Sequence, residues 1–121
     1  MNDWNADDTV LKVIDVNDFV RLNFPPRKLW LEPWLSDGSL IMIHAQTGVG
    51  KTHLTLNIAH TLATTGEFLG WHASKPVSVL YIDGEMAKDD LQSRLKSIIA
   101  GTGKEPGKGK LRILARSTQL N

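Results

Sequence analysis

Leu40-Ile41-Met42-Ile43-His44-Ala45-Gln46-Thr47-Gly48-Val49-Gly50-Lys51-Thr52 is the stretch whose reading decides the fold. Its first four residues form a continuous apolar run, which reads as a parallel strand buried on both faces. The turn that follows, residues 45–52, has the pattern of a phosphate loop. Backbone N–H groups must turn inward toward phosphate oxygens there, and side chains at Gly48 or Gly50 would obstruct the approach. Lys51 then brings a positive charge to the beta and gamma phosphates, and the Thr52 hydroxyl reaches magnesium. The candidate binding residues for ATP and Mg2+ are therefore Ala45, Gln46, Thr47, Gly48, Val49, Gly50, Lys51 and Thr52. Ala45 stands where such loops usually begin with glycine. Alanine is small, so binding survives with a slightly altered loop mouth.

Downstream, Leu54, Leu56, Ile58, Ala59, Leu62 and Ala63 point several ways on a helix predicted over residues 51–64, buried on more than one side. Its dipole adds to anion binding at the loop. Gly66 is the predicted stop, and Phe68-Leu69-Gly70-Trp71 reads as part of a loop. The branched, apolar residues 77–82 read as a central strand, and Asp83-Gly84-Glu85 is the next strand-to-helix junction. Ala87, Leu91, Leu95, Ile98 and Ile99 then recur at helical spacing on one face. Residues 101–110 hold four Gly, one Pro and three Lys and read as a flexible loop, with a third strand over residues 111–114. Strand and helix alternate throughout, which implies an α/β layer fold. The last strand would leave an unpaired edge that invites association.

Upstream, residues 1–10 lack apolar periodicity and read as a loose arm. Residues 10–22 suit a strand or a helix, and the reading leans to a helix over residues 16–22 capped by Asn17 or Asp15. Pro25-Pro26 and Pro33 impose an extended path. Trp30 and Trp34 cover the core beside it, and Asp37-Gly38 makes a turn.

At 121 residues the chain is long enough for one core but short for a complete nucleotide-hydrolysing domain, so an incomplete domain is expected. With 41% hydrophobic and 22% charged residues, disorder throughout is excluded. There is no cysteine, hence no disulfide framework or thiolate metal site. No apolar run approaches the roughly 18 residues of a membrane span, and the polar, acidic start is unlike a secretory leader. A cytoplasmic location is the expectation. The net charge of +1 is uneven, since residues 1–18 carry one Lys against five Asp, a sum of −4, which leaves +5 for the rest. Late cations, Arg94, Lys96, Lys104, Lys108, Lys110, Arg112 and Arg116, face only Glu105. That end could meet nucleic-acid phosphates, although a solvated surface explains the charge as well.

The second candidate site is Asp83-Gly84-Glu85, at the carboxyl end of a strand where open α/β sheets place their ligand crevice. A carboxylate there can polarise a water held in line with the gamma phosphate. Alternatively Asp83 merely caps the next helix and Glu85 is solvated, or Asp83 is the acidic end of a Walker B strand and reaches magnesium through a bound water.

Pro33-Trp34-Leu35, the loop of residues 45–52, Phe68-Leu69-Gly70-Trp71 and Val79-Leu80-Tyr81-Ile82-Asp83-Gly84-Glu85-Met86 together resemble one family. It comprises the RecA-like P-loop ATPases of the plasmid and phage replicative helicase RepA kind, within the AAA-family ATPases. The resemblance spans residues 24–114. It implies a RecA-like parallel sheet flanked by helices, with residues 1–23 as an acidic arm and residues 24–121 as the amino-terminal portion of the ATPase domain. It further implies that Glu85 is the catalytic glutamate, with Lys51 at the phosphates and Thr52 at magnesium. A homo-oligomeric ring working on DNA is also implied. The family's Walker B aspartate, arginine finger and most DNA-contacting loops should lie beyond residue 114, so an amino-terminal fragment is expected.

Three functions follow for testing: an ATPase module of a replication or mobile-element protein, a nucleotide-binding switch without turnover, and a small-molecule kinase. The last would need an arginine-rich lid that the sequence does not offer. His44, His53, His60 and His72 match no metal-ligand spacing. Trp30, Trp34 and Trp71 read as packing residues, and Gly101-Thr102-Gly103-Lys104 reads as a linker.

Overall fold

The computed structural model describes residues 11–115. The expected loose arm of residues 1–10 and the cation Arg116 lie outside the described residues. A single helical turn, α1 (Val16–Phe19), opens the described chain, and Asp15 caps it by accepting from the Asn17 amide at 2.9 Å. The expected helix over residues 16–22 is thus shorter, and of the two candidate caps Asp15 is the one used.

Two small antiparallel pairs occupy stretches that the sequence offered as extended chain and loop. β1 (Leu29–Leu31) pairs with β2 (Leu35–Ser36), and β3 (Gly66–Phe68) pairs with β4 (Trp71–Ala73). Glu32 and His72 exchange backbone hydrogen bonds of 2.7 and 3.1 Å, which fastens one pair to the other. The two-residue turn between β3 and β4 carries Leu69 at φ +54° and Gly70 at φ +81°. Positive φ at both central positions gives a turn whose twist matches that of the strands it joins. Trp71 meets Trp34 edge-on at 5.1 Å and Phe68 at 6.1 Å, so the tryptophans serve packing as expected.

The principal helix, α2 (Lys51–Thr64), has the bounds its apolar spacing predicts. Its second half is sunk into the protein, with Leu56, Ile58, Ala59, His60, Thr61, Leu62 and Ala63 all buried. One face serves the tryptophan-rich cluster around Leu31, Ile58, Leu62 and Ala73; the other serves Leu56, Leu91, Ile98 and Ala115. The stop comes one residue before Gly66, because Thr65 itself takes φ +81° and its amide closes on the Thr61 carbonyl.

β5 (Val79–Asp83) and β6 (Leu111–Ala115) form the parallel pair, in register from Val79 beside Leu111 to Asp83 beside Ala115. Between them runs α3 (Lys88–Thr102), which ends on Gly103 in the left-handed conformation. The helix reaches two residues into the stretch expected to be loop, since Gly101 and Thr102 continue it. Tyr81 and Ile113, side by side on one face, pack with the α2 and α3 residues Leu56, Leu91, Leu95 and Ile98. Leu80 and Ile82 point the other way and are 61% and 66% exposed. Helices therefore lie on one face of this short sheet.

The clearest departure from the sequence reading concerns residues 40–43. They form no strand, and Leu40 and Met42 are 100% and 89% exposed. A strand buried on both faces needs neighbours at its edges and layers above and below. Among the described residues β5 and β6 pair only with each other, so nothing supplies those neighbours.

Candidate functional site

The turn before α2 is held open by two glycines in conformations that other residues avoid. Gly48 has φ +86°, and Gly50, the residue that caps α2, has φ +96° and ψ 20°. A Cβ on either would meet nothing within 4 Å, so within the protein it is backbone strain and not crowding that requires glycine. For an L-residue that conformation costs roughly 1–2 kcal/mol. Gly50 has no side chain with which to cap the first turn of α2, and among the described residues no other side chain bonds its leading amides. Its leading amides are therefore left to whatever lies in front of the helix, and an anion is the natural partner for them. Lys51 is exposed at the mouth of this turn and Thr52 is half-buried behind it. Ala45, Gln46, Thr47 and Val49 complete the turn, with Val49 60% exposed.

The helix and the parallel pair are tied together close to this turn. Thr55 Oγ1 lies 2.9 Å from the Tyr81 hydroxyl, and the Thr55 hydroxyl also donates to the Thr52 carbonyl at 3.1 Å. At the far end of α2 the Val77 amide donates to the Leu62 carbonyl at 2.9 Å. α2 thus runs antiparallel to β5, and its amino end sits beside the carboxyl end of that strand. The Thr55–Tyr81 contact went unread in the sequence. A threonine three residues after Thr52, opposite a tyrosine two residues before Asp83, is the only trace it leaves there.

Asp83 closes β5 with a tight turn: its Oδ1 accepts from the amides of Glu85 at 2.9 Å and Met86 at 3.3 Å. It does not cap α3, whose N-cap is Ala87 without a side-chain bond. That disposes of the simple capping role. Asp83 Oδ2 is buried and has no hydrogen-bond partner among the described residues. A buried carboxylate oxygen without a partner is costly and calls for a ligand, an ion or water. The turn leaves Glu85 exposed on the surface at the carboxyl end of β5. Asp83 and Glu85, interchangeable on paper, are thereby distinguished: the first is half-buried and anchored, the second free to reach solvent.

His60, buried within α2, places Nε2 2.8 Å from the Lys104 carbonyl and so holds the loop after α3 in place. Among the described residues no three His, Cys, Asp or Glu side chains are grouped to hold a metal ion. Among them, too, no helix is long and apolar enough to cross a membrane.

Comparison with protein families matches residues 6–120 to an AAA domain. No curated protein and no solved structure matches the chain.

Proposed function

The chain belongs to the AAA domain family, whose ATPase-type nucleotide binding is the premise here, and we propose that residues 45–52 bind ATP with magnesium and that Glu85 directs its hydrolysis. The observation that carries this reading is the uncapped amino end of α2, which meets a turn opened by Gly48 and Gly50 beside the carboxyl end of a parallel strand. In this reading the amides from Gly48 to Lys51 line the phosphates, and the Lys51 ammonium neutralises their outer charge. The Thr52 hydroxyl and Asp83 Oδ2, which has no hydrogen-bond partner among the described residues, would suit magnesium and its water shell. Bound magnesium supplies charge neutralisation on the phosphate oxygens.

Glu85, exposed beyond the Asp83 turn, accepts a hydrogen bond from the attacking water and aligns it, while the Asp83 turn fixes the backbone from which it reaches. The full activity proposed is that of a RecA-like motor of the RepA helicase kind, an oligomer working on DNA in the cytoplasm. Residues 24–121 are its nucleotide-binding portion. The motif resemblance supports this finer assignment. A measurement of phosphate release from MgATP tests the catalytic part: Glu85→Gln should abolish release while ATP binding persists. ATP binding without release in the natural chain would instead favour a nucleotide-operated switch.

A further inference from the structure

The parallel pair has a second charged end, opposite the one that holds the phosphate loop. The Val79 amide donates to the Lys110 carbonyl at 2.7 Å, so the loop after α3 lies at the amino ends of β5 and β6. Its anchor on His60 and the bond from Lys104 Nζ to the Thr65 carbonyl at 3.2 Å fasten it to the carboxyl-terminal half of α2. Since α2 is antiparallel to β5, the phosphate loop lies at the other end of a helix of 14 residues. That separation is roughly 20 Å at 1.5 Å per residue.

Residues 103–112 carry Lys104, Lys108, Lys110 and Arg112 against Glu105 alone, four cations to one acid and a net +3. Lys104 is spent on Thr65, which leaves three. Lys108 and Arg112 are exposed and Lys110 half-buried, and none of the three is in an ion pair among the described residues. Arg112 turns its guanidinium back toward Gly109, where a Cβ would lie 3.5 Å from Nη2, an ordinary contact distance. Lys75, exposed shortly before β5, adds to the same end. Residues 103–110 present no aromatic ring on which a base could stack and no large apolar side chain of the sort that anchors protein interfaces; the exposed Leu80 beside Arg112 belongs to the sheet face. What it offers is unpaired positive charge on a glycine-rich backbone.

We propose that Lys108, Lys110 and Arg112, at the amino ends of β5 and β6, bind the phosphate backbone of a nucleic-acid strand irrespective of its sequence. This names a surface for the DNA role suggested above and uses none of residues 45–52. The distance between the two ends exceeds twice the screening length of about 8 Å at physiological salt, so both can be occupied together.

The test is fluorescence anisotropy of a labelled 30-nucleotide single-stranded DNA titrated with the intact chain across a salt series. Three phosphate contacts predict a slope of log affinity against log salt near −2, or a loss of roughly 20-fold between 50 and 200 mM salt. The triple variant Lys108→Glu, Lys110→Glu, Arg112→Glu should lose at least about 10-fold at low salt, with its circular dichroism unchanged. Arg94→Glu with Lys96→Glu, on α3, should stay within about threefold. Lys51→Ala should keep DNA binding even where it loses ATP, which separates failure here from failure of the nucleotide site. The proposal is overturned by absent binding in the natural chain, by a triple variant that binds equally well, or by an α3 variant that falls as far. Competition by polyglutamate as strong as that by DNA would also overturn it and point to an acidic protein partner.

Discussion

Residues 40–43 and residues 51–64 lie on either side of one loop and carry equally strong apolar signals, yet the first lies exposed and the second forms the buried spine of the protein. The difference lies in who supplies the partners. A helix satisfies its backbone within itself, and α2 finds its packing neighbours in β1, β4, β5, α3 and β6, all among the described residues. A parallel strand satisfies nothing alone. An apolar run therefore announces a demand for burial without saying what will meet it.

The contrast can be broken most forcefully in α2. Leu56 is fully buried between α2, α3 and β6, so Leu56→Ala should destabilise the fold by about 2–5 kcal/mol in chemical denaturation. A cost below 1 kcal/mol would mean that the spine is not packed as described. Gly50→Ala comes next, at about 1–2 kcal/mol, from backbone strain at φ +96° with no lost contact. A neutral result would show that the loop relaxes out of the left-handed conformation. Smallest is Met42→Ser, expected to change stability by less than about 0.5 kcal/mol because its side chain is already in water. If this substitution proved as costly as the one at Leu56, residues 40–43 would have to be buried in solution after all.

Much of the chain was legible because its signals are local. α2, the strand before Asp83, the helix after it and the third strand all follow from periodicities that need no knowledge of distant neighbours. The hairpin of β3 and β4 was hidden because its turn places Leu69 at positive φ, where asparagine, aspartate or glycine would have announced it. β1 and β2 were hidden by brevity and by the prolines around them. The candidate residues of the phosphate loop and of the Asp83–Glu85 junction could be picked out from the sequence, yet their different surroundings could not. Only the tight turn at Asp83 separates an anchored carboxylate from the exposed Glu85. The Thr55–Tyr81 contact that sets α2 against β5 joins residues 26 apart, a distance no local pattern can span.

The account stands on the amino end of α2 as an anion site opened by two glycines at positive φ. Isothermal titration of the folded chain with MgATP should give a clear heat of association, and Lys51→Ala should weaken it by about 10–100-fold, the worth of a charge-assisted contact of roughly 1.5–3 kcal/mol. No heat with the natural chain, or the same affinity in a folded Lys51→Ala variant, would contradict it.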